Sequence, residues 1–292
     1  MRDFQGRVAV ITGAASGFGR EFARLGAARG MKLVLADVQA DALAATEAEL
    51  RAGGAEVVSE RVDVSRAEDV ARLADRAYAA FGAVHLLFNN AGVGSGGLIW
   101  ENTERDWQWV LGVNLWGVIH GVRQFVPRML AGGEPGYVIN TASVAGLLNA
   151  PNMGVYNVSK HAVVSLTESL HHDLKLVQAN IGVSVLCPAY VSTGIAQSHR
   201  NRPDSLRDDA APTASQRAAQ AAISKAVQGG RMSAADVARE TFEAIEAERF
   251  YVFTHPQIMP TVELRFTDVL QGRNPSDPFI TKPQLKPQLK SE

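Results

Sequence analysis

The chain has 292 residues, 46% of them hydrophobic and 20% charged, with a formal net charge of -1. That composition fits a soluble globular protein, and with no long basic run a nucleic-acid partner has no electrostatic support. One cysteine, Cys187, excludes an intrachain disulfide and points to a reducing compartment, the cytoplasm; Met1 to Arg7 lack the apolar core of a signal peptide, and no run of about 18 apolar residues predicts a membrane span.

Arg7–Thr12 is a short β-branched run that reads as a buried strand. Thr12-Gly13-Ala14-Ala15-Ser16-Gly17-Phe18-Gly19 follows, then a helical pattern through Arg29 that stops at Gly30. Strand, glycine-rich turn and helix are the parts of a dinucleotide site. Glycines let backbone N–H groups approach a pyrophosphate, and the helix N-terminus faces its negative charge. Lys32–Ala36 is a second strand that ends at Asp37. That position lies about 20 residues past the glycines, where a carboxylate bonds adenosine ribose hydroxyls; the other reading is a helix cap. The carboxylate repels a 2′-phosphate and neither Ser16, Val38 nor Gln39 is basic, so NAD is favoured over NADP.

Asp41–Leu50 reads as a helix closed by Gly53 and Gly54, and residues 55–62 as a third strand ending at Asp63-Val64. Asp63 has two open readings, a bond to the adenine amino group or a cap for the helix that starts near Arg66. Ser65, with Glu68 three residues on, would serve as a capping box. Ala83–Phe88 is a fourth strand, delivering Asn89-Asn90-Ala91-Gly92 to the carboxyl edge, where open α/β sheets bind ligands. Gly94-Ser95-Gly96-Gly97 is a flexible loop, and Thr103–Leu130 one long helical stretch. Asn114 sits on its largely apolar face; the amide either satisfies nearby backbone or points to the site.

Gly136–Asn140 is a fifth strand that brings Ser143 to the same edge; Val144–Met153 is an apolar loop, residues 156–178 a long helix and Ile181–Cys187 a sixth strand. Tyr156 and Lys160 are four apart and share a helix face. An ammonium beside a phenol favours the phenolate and pulls the tyrosine pKa down. Residues 190–211 read as a mobile lid. Helices are predicted over 213–228 and 233–248, a last strand at Phe250–Phe253, and a helix near 260–271 before a proline-containing tail. The alternation of strand and helix implies a Rossmann-type, doubly wound parallel sheet of about seven strands with helices on both faces. It would occupy residues 1–255, with 256–292 a C-terminal extension; no metal site is expected.

Together, Thr12-Gly13-x-x-x-Gly17-x-Gly19, Asn89-Asn90-Ala91-Gly92, Asn114, Ser143 and Tyr156-x-x-x-Lys160 resemble the short-chain dehydrogenases/reductases, in their single-domain branch, over residues 5–253. The resemblance implies Tyr156 as proton donor and acceptor, Ser143 bonded to the reacting oxygen, and Lys160 lowering the tyrosine pKa and binding the nicotinamide ribose. Asn114 would hold a water that extends a proton relay. Gly13, Gly17 and Gly19 would lie along the pyrophosphate, Asp37 on the adenosine ribose and Asp63 near adenine. Ser16, Phe18, Val64, Asn90, Ala91 and Gly92 would complete the cofactor cleft. Pro188, Val191 and Thr193 match the family's nicotinamide-contacting segment, in which Ala189 replaces the usual glycine.

The implied reaction is reversible hydride transfer between NAD and a secondary alcohol or ketone. Gly96, Leu98, Val144, Leu147, Leu148, Met153 and Tyr190 are candidate substrate contacts and favour a bulky, apolar or aromatic compound. Residues 1–5, 125–129 and 250–256 are similar to bacterial Cα-dehydrogenases that oxidise benzylic alcohols in lignin-derived aryl ethers. An NADP-linked carbonyl reductase and a non-catalytic NAD-sensing protein are the alternatives. A homo-oligomer, dimer or tetramer, is expected through the helices at 103–130 and 156–178, where Trp109, Trp116 and Val163 exceed the apolar need of one face.

Overall fold

The computed structural model describes residues 1–280. Val8–Thr12 forms strand β1 and Lys32–Asp37 forms β2, joined by helix α1 at Gly17–Ala28. Both strands are nearly all apolar, as expected of parallel strands covered on two faces. Their side chains alternate sides. Ala9, Ile11, Leu33 and Leu35 enter one core, while Val8, Val10, Val34 and Ala36 enter the other. Ala40–Ala52 (α2), Val57–Arg61 (β3) and Ala67–Phe81 (α3) follow, then Leu86–Asn89 (β4). The fourth strand starts later than the apolar run suggests, because His85 precedes it and spends its Nδ1 on the Val8 N–H at 3.0 Å.

Glu104–Leu111 (α4) and Gly117–Gly132 (α5) make up the one long helical stretch that was expected. A π-turn at Gly112–Trp116 joins them without a gap and carries Asn114. Gly136–Thr141 (β5), Gly154–Leu176 (α6) and Ile181–Cys187 (β6) complete the central region. Ala214–Gln228 (α7), Ala234–Glu246 (α8), Tyr251–Phe253 (β7) and Met259–Leu270 (α9) end the described chain. The part of the proline-containing tail beyond residue 280 lies outside the described residues.

All seven strands are parallel, in the order β3-β2-β1-β4-β5-β6-β7. The chain leaves the β3 edge and returns beside β1, so the β1/β4 crevice is the topological switch point. On one face α1 and α8 cover the sheet through Phe22 and Phe242, which flank Phe88 at ring separations of 4.8 and 5.8 Å. On the other face α3, α5 and α6 bring Leu73, Phe125 and Leu170. No helix of the described residues is long and apolar enough to cross a membrane.

Two expectations change here. Ser65 and Glu68 form no capping box: Ser65 Oγ donates to Asp63 Oδ1 at 2.7 Å, Glu68 pairs with Arg66, and α3 starts without a side-chain cap. The segment read as a mobile lid is anchored. It folds into 3₁₀ turns within Gly194–Asn201 and at Asp204–Leu206, and buried Arg202 ties it to Asp106 of α4 at 2.6 Å and to Asp208 at 3.0 Å.

Candidate active site

The glycine turn is built by close approach. Gly13 has φ +68°, and a Cβ there would lie 2.9 Å from the Ala91 Cα; one on Gly19 would collide with the Gly13 carbonyl. Thr12 Oγ1 accepts the N–H groups of Asn90 and Ala91 at 2.9 and 3.1 Å, and Asn90 Nδ2 donates to the Thr12 carbonyl at 3.0 Å. The ends of β1 and β4 are thus stitched side by side. Ser16 precedes α1 in extended conformation and makes no capping bond, so the first N–H groups of that helix keep no side-chain partner. Asp37 is fixed at the end of β2. Its two oxygens accept the Ala15 N–H and the Gln39 N–H, each at 3.0 Å.

At the next strand end, Asn140 Oδ1 accepts from Asn89 Nδ2 at 2.9 Å and Asn140 Nδ2 donates to Thr167 of α6 at 3.1 Å. This chain of amides locks α6 over the sheet edge. Tyr156 and Lys160 face inward from its first turns, both buried. Lys160 Nζ donates to the Thr141 carbonyl at 2.9 Å and lies 5.7 Å from the centre of the Tyr156 ring. Ser143 Oγ donates to the Pro188 carbonyl at 3.2 Å and accepts the Ala145 N–H at 3.2 Å.

The expected drop in the tyrosine pKa is not found. Burial pushes the Tyr156 phenol up to about 12, against an opposing hydrogen-bond contribution from Ser143. Burial likewise pushes the Lys160 ammonium down to about 8. The two groups share a face, but burial dominates each shift, and the lysine spends its bond on a carbonyl rather than on the phenol.

Asn114 is fully buried behind this pair. Its Oδ1 accepts the Val93 N–H at 2.8 Å; its Nδ2 donates to the Val93 carbonyl at 3.0 Å and to Ser159 Oγ at 3.1 Å. Both amide donors are spent. Oδ1 approaches the position a Gly92 Cβ would take to 3.4 Å, and Lys160 Nζ approaches the same point to 3.6 Å.

One cavity of about 1490 Å³ joins these parts. Of the expected cofactor residues, Gly13, Ser16, Gly17, Phe18, Asp37, Asp63, Val64, Asn90, Ala91, Gly92, Tyr156, Lys160, Pro188, Val191 and Thr193 line it. Gly19 and Asn114 stand behind its wall. Of the expected substrate contacts, Val144, Leu148, Met153 and Tyr190 line it, while Gly96, Leu98 and Leu147 do not. Gly96 abuts Ala219, the Leu98 N–H bonds Ser215, and Leu147 packs into the core beneath α6. Sequence reasoning missed Ser95, Trp109, Asn152, Ile195, His255 and the inner face of α7, all of which line the cavity. For α7 there was a visible clue: Ala218, Ala222 and Ala226 recur every four residues and make a small-residue stripe along one face.

A dinucleotide fits this arrangement: backbone close enough only for glycine at the turn, open helix N–H groups beside it, and a fixed carboxylate at the end of β2. The fold and site define an α/β protein with an acid/base cluster at the carboxyl edge of its sheet. The short chain dehydrogenase family matches residues 7–204, and the chain belongs to that family of oxidoreductases. A short chain dehydrogenase/reductase from Burkholderia phymatum, solved in complex with NAD, is similar in structure with a TM-score of 0.94 at 59% identity, over 95% of this chain and 99% of the other. A C alpha-dehydrogenase of Sphingobium sp. is 35% identical over 95% of this chain and 90% of its own length. A CLA biosynthesis dehydrogenase/reductase of Lactiplantibacillus plantarum is 34% identical over 94% of this chain and 97% of its own.

Proposed function

We propose that the protein is an NAD-dependent oxidoreductase that interconverts a secondary alcohol and a ketone. The observation that carries this reading is the convergence of buried Tyr156, Lys160 and Ser143 on one cavity that also reaches Asp37. NAD, when bound, supplies the hydride acceptor or donor. Everything else falls to the chain. Gly13, Ser16 and Gly17 present backbone N–H groups to the pyrophosphate, and Asp37 takes the adenosine ribose hydroxyls. Tyr156 gives its proton to a ketone oxygen or removes one from an alcohol, and Ser143 steadies the same oxygen. Lys160 Nζ lies 5.7 Å from the centre of the Tyr156 ring, from where its charge would favour the phenolate and a relay would restore the proton. Asn114 Oδ1 and Lys160 Nζ approach the point a Gly92 Cβ would take to 3.4 and 3.6 Å, and a relay water there would link them.

The apolar wall of Val144, Leu148, Met153 and Tyr190 supports a bulky, apolar or aromatic substrate, in keeping with the similarity to a C alpha-dehydrogenase. An NADP-linked reaction has one observation in its favour: Arg200 Nε donates to Gln39 Oε1 at 3.3 Å and puts a cation near the ribose end. Asp37 opposes it. A cytoplasmic homo-oligomer completes the reading. The test is a panel of aryl, alicyclic and polyol secondary alcohols with NAD, following the absorbance of reduced cofactor. Oxidation of aryl carbinols, lost in Tyr156→Phe, is the expected result. Wild-type turnover in that variant would overturn the assignment.

A further inference from the structure

We propose that Arg200 is a phosphate-binding residue of the dinucleotide site, its guanidinium adding a cation to the pyrophosphate cradle that the glycine turn builds from backbone N–H groups. The inference rests on the NAD reading and extends it to a residue outside the glycine turn and Asp37.

Arg200 lies in the 3₁₀ segment after β6, and its side chain reaches Gln39, just past the end of β2. In the sheet, β2 and β6 stand on opposite sides of the β1/β4 crevice. The side chain therefore crosses the carboxyl edge over the switch point, where a dinucleotide binds. Both ends of the span border expected cofactor residues. Asp37 Oδ1 accepts the Gln39 N–H at 3.0 Å. At the other end Thr193, next to Gly194, packs on the glycine turn, with its Cβ 3.5 Å from where a Cβ on Gly17 would lie. Arg200, Gln39, Gly194 and Gly17 all line the one cavity.

The guanidinium is fixed in place with one end left over. Nε donates to Gln39 Oε1 at 3.3 Å, and Nη1 donates to the Gly194 and Gln197 carbonyls, each at 3.0 Å. Those bonds occupy every N–H of Nε and Nη1. Nη2 has no hydrogen-bond partner among the described residues, and it lies on the Gly194 side, 2.9 Å from where a Cβ on that glycine would lie. Arg200 is exposed, so these remaining donors are open to a ligand in the cleft.

Charge points to the same ligand. The acceptors that hold Arg200 are neutral oxygens, and among the described residues it forms no ion pair. The carboxylates that share its surface pocket are engaged elsewhere: Asp63 with Ser65, Asp69 with Arg66 and Arg72, Asp204 with Arg207. A planar cation with paired donors to spare suits a phosphate. The match is the 5′-linked pyrophosphate rather than a ribose 2′-phosphate. Nη2 sits at Gly194, beside the glycine turn, whereas Nε, at Gln39 near Asp37, is spent.

The experiment is calorimetric titration of wild type, Arg200→Gln and Arg200→Lys with ADP-ribose, NAD and NADP at low and high salt. ADP-ribose carries the pyrophosphate without the nicotinamide, so the readout is binding rather than turnover. Arg200→Gln should bind ADP-ribose and NAD about tenfold more weakly at low salt, as expected for one charged hydrogen bond. The gap to wild type should narrow at high salt, where an exposed charge is screened. Arg200→Lys, which keeps the charge, should recover part of the loss, and unfolding midpoints confirm that both variants fold. Unchanged affinities overturn the phosphate role alone, as does a gap indifferent to salt or a lysine variant no better than the glutamine. A loss larger for NADP than for NAD overturns it too, since it places the guanidinium at the 2′ position. Failure of wild type to bind NAD and ADP-ribose overturns the NAD reading and this inference with it.

Discussion

Lys160 is an ammonium 3% exposed, bonded to one carbonyl and held at a pKa of about 8 by burial. Its ordinary value is 10.5, so the unfolded chain binds the proton more tightly than the folded one. Stability therefore rises with pH between about 8 and 10.5, and below that window the folded state carries the full desolvation cost. Tyr156 acts in the opposite sense only above its ordinary value of 10.0. Lys160→Met should remove the rise: the variant should be more stable than wild type at neutral pH, and the difference should narrow as pH increases through the window. Urea unfolding of the cofactor-free protein at several pH values checks this; a difference independent of pH would refute it. Asp37→Ala should weaken NAD by roughly tenfold, about the effect of losing one charged hydrogen bond, and should improve NADP. Titration of both cofactors decides it. The residues behind these predictions were legible because motifs and short spacings place them, Tyr156 and Lys160 on one helical face and Asp37 at a strand end. Ser95, Trp109 and Asn152 were not, since what makes them cavity residues is contact between segments distant in sequence. The downward shift expected for Tyr156 failed for a related reason: spacing shows that two groups are neighbours, not how far each is removed from water.

Among the elements, the segment from Gly194 to Asp208 departs most from its sequence pattern. Glycine, proline and many charges suggested free chain, yet Arg202 is buried with Asp106, donates to the Leu206 carbonyl at 2.7 Å and lies over the Trp109 ring at 5.3 Å. Asp106 also closes the capping box of α4 with Thr103. One carboxylate thus sets the start of a helix and the position of the segment that supplies Ile195, Asn201 and Leu206 to the cavity. Pairing across more than ninety residues leaves no local trace, so the arginine looked like a surface charge. Arg202→Met leaves Asp106 buried without its partner, a loss of about 3–5 kcal/mol for a broken buried pair. The expected outcome is a lower urea midpoint and faster protease cleavage within 194–212, partly reversed by adding Asp106→Asn. A single variant as stable and as resistant as wild type would show that the pair holds nothing in place. Strands and the helices that cover them were legible from period and caps. The π-turn at Gly112–Trp116 was not, because it changes hydrogen-bond register without interrupting the helix or its apolar pattern.

At the scale of the whole molecule, the sheet order follows from seven parallel strands and crossover helices, and needs no partner. Self-association is a separate matter, and the structure revises its basis. Trp109 and Val163 are buried inside the subunit, packed in its own cores, so neither is available to a second copy. Trp116 is different. It is 48% exposed on the π-turn, which packs against α6, and Val158 on the first turns of α6 is exposed as well. Large apolar side chains set on the surface of the helices that form the site are what a second copy of the chain would cover. Burying them would also hold α6, with Tyr156 and Lys160, more firmly against the sheet edge. Wild type should therefore scatter light as a multiple of its 31.3 kDa chain mass, and Trp116→Glu, which places a charge in the covered patch, should shift it toward the single-chain mass. Its unfolding midpoint should become independent of protein concentration, while wild type rises with concentration by mass action. A monomeric wild type, or a variant with unchanged mass, would remove this face from consideration.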